Sequence, residues 1–186
     1  MGQIDGYDYF ALQWHWHAPS EHTIDGVQQD AEIHFVHQNE AGEYAVFGVF
    51  FNVDPDFTED SFSGGEQFVQ QLKNSYDSRD DDQFGSFPGW VLPQDGTFWR
   101  YDGSFTTPPC TEGVTWNVYG TPATISQASF DWLSEKLVAN NYREVQALGE
   151  RTVTVGAVLN SETMNLLEGA ATVSAAVMVL AAAALF

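Results

Sequence analysis

Apolar and polar side chains alternate with a period of two over residues 9–17, 31–37 and 113–119. An extended strand sends residues i and i+2 to the same face, so each stretch is read as a β-strand. Tyr44–Val53 is instead a nearly continuous apolar run, the pattern of a strand buried on both faces. Residues 98–101 form a further short strand, and residues 39–42 supply the turn that would make the strands at 9–17, 31–37 and 44–53 a meander. The period lengthens at residues 65–76, where Phe68, Val69, Leu72 and Tyr76 share one side, which predicts an amphipathic helix lying on the sheet. Ser126 can cap a second helix carrying Phe130, Leu133 and Leu137 on one side and ending near Asn140 and Asn141. Residues 143–148 read as extended. Residues 54–65 are an acidic loop and residues 77–82 a solvated acidic linker. In residues 103–109 the pair Pro108 and Pro109 cannot continue a central strand, so this segment is read as a fixed loop. Together these elements predict a mixed, β-dominated fold: one domain over residues 1–160 with a central, largely antiparallel twisted sheet and a few peripheral helices.

Composition adds limits. The 186 residues suit a single domain with a sizeable core, and the wealth of aromatic residues and glycine fits a β-rich protein better than a helical bundle. With 26 acidic against 6 basic residues the net charge is -20, which opposes binding to nucleic acid or to an anionic membrane surface. A small neutral or weakly charged substrate is easier to accept, and such acidity suits a saline or extracellular setting. Residues 161–186 are read as an apolar tail, in which residues 170–186 are broken only by Thr172 and Ser174. As a helix that run would reach roughly 25 Å, slightly short of the ~30 Å hydrocarbon core. Three readings stand: a glycolipid-anchor signal with Asn160 and Ser161 or Gly169 and Ala170 as attachment sites, a transmembrane tail, or an Ala-rich packed helix. Met1 leads almost at once into strand-like sequence without a signal peptide, so the start is read as a truncation. Cys110 is the only cysteine; either it is a buried apolar residue or its partner lies in a segment this sequence does not contain.

The chemistry concentrates between residues 13 and 37, which hold all five histidines: His15, His17, His22, His34 and His37. His15 and His17 point one way from their strand, Trp14 and Trp16 the other. After a turn-forming stretch with Pro19, Ser20, Asp25 and Gly26, the second strand places Glu32, His34 and Val36 on one face. A hairpin would bring His34 beside the first pair. Three imidazoles with a fourth position open to water form the ligand set of a catalytic zinc ion. A lone histidine is usually a satisfied core or surface residue, but five clustered in one hairpin weigh against that reading.

Five motifs in order, His-x-His, Ser-Glu-His-Thr-x-Asp-Gly, Ala-Glu-x-His-x-Val-His, Gly-Ser-x-Thr-Thr-Pro-Pro and Asn-x-Arg-x-x-Gln-x-Leu, give the chain its resemblance to the alpha-class carbonic anhydrases. The variant HAPSEHTIDG resembles the bacterial, plant and algal branches. The family's N-terminal portion, with its strands, polar pocket residues and proton-shuttle histidine, has no counterpart here. The resemblance implies that His15, His17 and His34 hold Zn2+, supported by Gln13, Glu32 and the backbone carbonyl of Asn141. It implies that Thr106 and Glu21 orient a zinc-bound hydroxide. Val36, Val46, Phe105, Val114 and Trp116 would line the apolar wall where carbon dioxide rests, with Thr107 beside substrate or solvent. Phe105 stands where leucine is common and would narrow that wall. His22 and His37 fall outside the ligand set and are taken as structural. In secreted relatives the position of Cys110 pairs with a cysteine of the N-terminal portion, which together with the tail implies an extracellular or lumenal, membrane-anchored protein. The implied reaction is reversible hydration of carbon dioxide to bicarbonate and a proton, with the proton passing to buffer. The alternative is a non-catalytic binding module on the same fold, or a truncated inactive product.

Overall fold

A computed structural model describes residues 2–4, 7–58, 64–78, 96–136 and 140–158. The expectations for the tail over 161–186, for Leu137 and for most of the acidic linker lie outside these residues.

The long strands follow the alternation. Strand β1 is Gly2–Ile4, β2 Tyr7–His17, β5 Ala31–Asn39 and β6 Tyr44–Val53, with a small hairpin of β3 (Thr23–Ile24) and β4 (Val27–Gln28) between β2 and β5. Helix α1 (Gly64–Ser78) follows, then β7 (Gly96–Ser104), β8 (Glu112–Tyr119), β9 (Ala123–Ile125), helix α2 (Gln127–Lys136) and β10 (Thr154–Val158). The main sheet runs in the order β1-β2-β5-β6-β8-β7-β10, with β9 on β6 beyond the end of β8. Strands β2, β5 and β6 form the expected antiparallel meander. Strand β8 pairs with β6 in parallel, because the chain crosses over through α1 and β7 before returning.

The two faces of this sheet carry different cores. On one, Trp16, Ile33, Phe35, Val49 and Phe51 pack with Phe68, Val69 and Leu72 of α1 and Leu133 of α2. On the other, Val36, Val46, Phe50, Val114, Trp116 and Val118 pack together around the histidine side. Strand β6 contributes to both faces, as its continuous apolar run requires. Glu66, buried near the start of α1, ties the helices together: its carboxylate accepts from the Ser126 backbone N–H at 2.8 Å and from the Ser129 hydroxyl at 2.7 Å. Ser126 Oγ in turn accepts from the Ser129 N–H at 3.1 Å, capping α2.

Two local expectations are corrected. Gly103 and Ser104 belong to β7 rather than to the loop, since both pair with β8 before a register shift lets the chain leave the sheet. Tyr76 is 55% exposed and does not join the core stripe of α1; its ring packs edge-on against Trp132 of α2, 5.6 Å between centroids. Residues 143–148 pair with no strand among the described residues. No helix among the described residues is long and apolar enough to cross a membrane.

Candidate metal centre

The register of β2 against β5 sets His15 directly opposite His34 and His17 opposite Glu32. With the face rule of a strand, this places three imidazoles on one patch of the sheet, with ring centroids 4.9 Å apart for His15 and His17, 5.3 Å for His15 and His34, and 4.5 Å for His17 and His34. One nitrogen from each of the three lies within 4.8 Å of the others.

The remaining nitrogens decide which atoms converge. His15 Nδ1 lies 2.8 Å from Gln13 Oε1, and His17 Nδ1 lies 2.8 Å from the Asn141 carbonyl oxygen. Both partners only accept, so each Nδ1 carries the proton and each Nε2 keeps its lone pair. His34 is reversed: its Nε2 donates to Glu32 Oε1 at 2.9 Å, leaving Nδ1 toward the cluster. The acceptor set is therefore Nε2 of His15, Nε2 of His17 and Nδ1 of His34, each oriented by a partner on its far side. His17 Nε2 is buried without a hydrogen-bond partner. Burial, with His34 and His17 nearby, holds the His15 pKa down to about 3, and burial also lowers that of His17, so both rings stay neutral and able to bind metal. A buried lone pair without a donor, on a ring set among two further imidazoles, fits a bound divalent ion.

A second group, His22, Glu32 and His34, is equally close-set, but its atoms are already satisfied. Burial, then Glu32, pushes the Tyr101 hydroxyl well above its ordinary range, so it stays protonated and donates to His22 Nε2 at 2.6 Å. His22 Nδ1 then donates to Glu32 Oε1 at 2.7 Å. Glu32 Oε2 accepts from the backbone N–H groups of Glu21 and His22, each at 2.9 Å. Burial alone would raise the Glu32 pKa, but His22 and His34 outweigh it and keep this fully buried carboxyl ionised. Glu32 is thus the fixed anion against which His34 is aimed.

Two residues of this support carry little signal in the sequence. Gly48 faces His34 across β5 and β6, and a Cβ there would sit 2.6 Å from Glu32 Oε1; a glycine inside an apolar strand is the one available sign of such close approach. Tyr101 reads only as one more strand aromatic. Asn141 does more than offer its carbonyl: its side chain accepts from the Ala18 N–H at 3.1 Å and donates to the Trp16 carbonyl at 2.7 Å, clamping the end of β2.

Glu21 sits under the trio, with Oε2 at 3.4 Å from His17 Nε2 and 3.8 Å from His34 Nδ1. Its Oε1 accepts from the Arg143 backbone N–H at 2.7 Å, whereas Oε2 is buried with no hydrogen-bond partner. Thr106 lines one cavity together with this carboxylate and a second one beside His15 and His34, but makes no hydrogen bond to Oε2. A cavity of about 290 Å³ opens over the trio, lined by Gln13, His15 and His34 with Val36, Val46, Phe105, Thr106, Thr107 and Trp116. Val114 lies in the packed layer behind this wall, 1% exposed. His37 stands apart, with Nδ1 donating to the Phe35 carbonyl at 3.0 Å. Cys110 is a free thiol among the described residues, with a backbone φ of 56°.

Residues 1–157 match the sequence family described as eukaryotic-type carbonic anhydrase. The chain belongs to this family. A carbonic anhydrase of Klebsiella pneumoniae is 37% identical over 152 residues, covering 81% of this chain and 59% of that protein. Alpha carbonic anhydrase 3 of Arabidopsis thaliana is 34% identical over 163 residues, covering 81% of this chain and 54% of the plant protein. Among solved structures, the alpha-carbonic anhydrase of Thermovibrio ammonificans in complex with the inhibitor sulfanilamide superposes with a TM-score of 0.65 at 34% identity, over 81% of this chain and 64% of that one. This family member therefore spans about half to two thirds of the length of these relatives.

Proposed function

We propose that this chain catalyses the reversible hydration of carbon dioxide to bicarbonate and a proton, with Zn2+ held by His15, His17 and His34. The observation that carries the reading is the convergence of three imidazole nitrogens, each ring backed by an acceptor on its far side, beside a cavity with an apolar wall. Zn2+ held by three such ligands would supply a water acidified to about 7, a nucleophile at neutral pH.

The rest of the work falls to the chain. Gln13, the Asn141 carbonyl and Glu32 hold the ring planes and tautomers, which fixes where the three lone pairs meet. Glu21 is anchored through Oε1 and keeps Oε2 bare, so it can take a hydrogen bond from the Thr106 hydroxyl. In that state the Thr106 oxygen serves as an acceptor facing the cavity and selects the orientation of the attacking group. Val36, Val46, Phe105 and Trp116 offer carbon dioxide an apolar wall and leave few sites for competing water. Thr107 is assigned to the polar rim. Bicarbonate leaves toward solvent, and the proton passes to buffer. The acidic surface, with a net charge of -20, aids release of the anionic product. We further assign the protein to an extracellular or lumenal compartment with membrane attachment through its apolar tail.

The test is stopped-flow hydration of carbon dioxide by the zinc-loaded full chain. Sulfanilamide-sensitive activity is expected, with His34→Ala abolishing it and Thr106→Ala lowering kcat/KM by about 10²-fold, the order of loss when one preorganised hydrogen bond at the reacting centre is removed. A zinc-loaded wild-type chain without sulfonamide-sensitive hydration would overturn the proposal.

A further inference from the structure

Phe105 forms part of the wall above the histidine trio, and its backbone is fixed on both sides. Its N–H donates to the Thr111 carbonyl at 2.9 Å and its carbonyl accepts from the Ser104 hydroxyl at 3.1 Å. The Ser104 carbonyl is itself held by Trp116 Nε1 at 3.0 Å. Only the side-chain torsions of Phe105 remain free to set how far the ring enters the cavity. The group that meets this ring is Tyr44, edge-to-face with centroids 4.9 Å apart and planes at 74°. Tyr44 opens β6, two residues before Val46 and on the same face, and its register partners are Gln38 on β5 and Val114 on β8. Both rings are half-buried and pack on the same core cluster. Among the described residues Val46 and Phe105 line the cavity, whereas Tyr44 stands behind Phe105 and does not.

We infer that Tyr44 is a positioning residue for the reaction proposed above, holding the Phe105 ring at a width that passes carbon dioxide and resists flat aromatic ligands. The inference rests on that reading of the site. Tyr44 sits on an interior strand paired on both edges, so it moves little, and the edge-to-face contact transmits this rigidity to a ring borne on a loop. Removing the Tyr44 ring frees Phe105 to swing aside without altering any residue that touches substrate or metal.

The test uses the zinc-loaded full chain and two probes, sulfanilamide with its benzene ring and sulfamide without one. The ratio of their affinities cancels changes in the metal site itself. Tyr44→Leu is expected to shift the ratio toward sulfanilamide by about 3-fold or more and Phe105→Leu by about 10-fold, the order expected of one or two methylenes in an apolar pocket. Because Tyr44 acts through Phe105, the double variant should match Phe105→Leu alone, and Tyr44→Phe should keep the wild-type ratio. Tyr44→Met serves if the leucine variant does not fold. An unchanged ratio in the folded Tyr44 variant, or additive shifts in the double variant, overturns the inference while leaving the proposed function standing. Failure of the zinc-loaded wild type to bind either probe strikes the proposed function first and this inference with it.

Discussion

The smallest side chain in the site shows how little room its support leaves. Gly48 has no Cβ, and Glu32 Oε1 occupies the space where one would stand. Through that oxygen Glu32 reaches both His22 and His34, so a shift of a few tenths of an ångström re-aims one ring of the histidine trio. Gly48→Ala is expected to lower zinc affinity by about 10–100-fold, the range seen when the partner of a metal-binding histidine is disturbed. Overpacking adds a stability loss of about 1–3 kcal/mol. A chelator-competition titration beside urea unfolding separates the two effects, and unaltered zinc affinity would show that Glu32 moves without carrying His34. At this scale the sequence already exposed the histidines that the fold brings together, since His15, His17 and His34 stand out by type and spacing. Tyr101 and Gly48 did not stand out, because an aromatic or a glycine in a strand usually has a packing explanation.

Among elements, the contact between α1 and α2 rests on Glu66. The buried carboxylate accepts from Ser126 N–H, Ser126 Oγ, Ser129 Oγ and Gln70 Nε2. Burial by itself would raise its pKa, but these hydrogen bonds outweigh burial and hold it below the ordinary value of 4.5. A carboxyl whose folded pKa is depressed contributes stability that is present above the unfolded value and lost as pH falls through the folded one. Glu66→Gln should therefore destabilise the protein by about 1–3 kcal/mol at pH 7, the cost of replacing charged by neutral acceptors in a buried site. The difference should shrink as pH falls below the ordinary value of 4.5, where the unfolded chain takes up the proton, and through the depressed folded value, where the folded protein does. Urea midpoints of both proteins at pH 7 and at acidic pH check this, and a constant difference would rule out Glu66 as the titrating group. Both helices were legible from their apolar periodicity and from the Ser126 cap. Their mutual contact was not, because a lone Glu near a helix start reads as a dipole-favoured surface residue.

For the whole molecule, binding and charge govern stability. A ligand that binds only the folded state stabilises it by about 4 kcal/mol at a thousandfold excess over its Kd. The trio brings together strands β2 and β5, and its support reaches Asn141, so zinc should raise the Tm of the whole domain and a chelator should lower it again. Calorimetric scans with zinc and with chelator test this; a His17→Ala variant that keeps the full zinc-dependent rise would exclude the trio as the site. The net charge of -20 also repels itself, so salt in the 0.01–0.5 M range should raise the Tm of wild type by screening.

What the sequence determined by itself is what short range dictates. A strand's period of two puts His15 with His17, and Glu32 with His34, whatever the rest of the chain does. Helical periodicity and the Ser126 cap act within a few residues and were equally readable. The tertiary structure alone decided the register that sets His15 against His34, the parallel return of β8 beside β6, and the meeting of His17 with Asn141 across 124 residues. It also decided that Glu21 and Thr106 border one cavity and that Tyr44 backs Phe105. Those contacts depend on how the sheet brings distant segments together, and no local pattern encodes a distance between segments that meet only when the chain has folded.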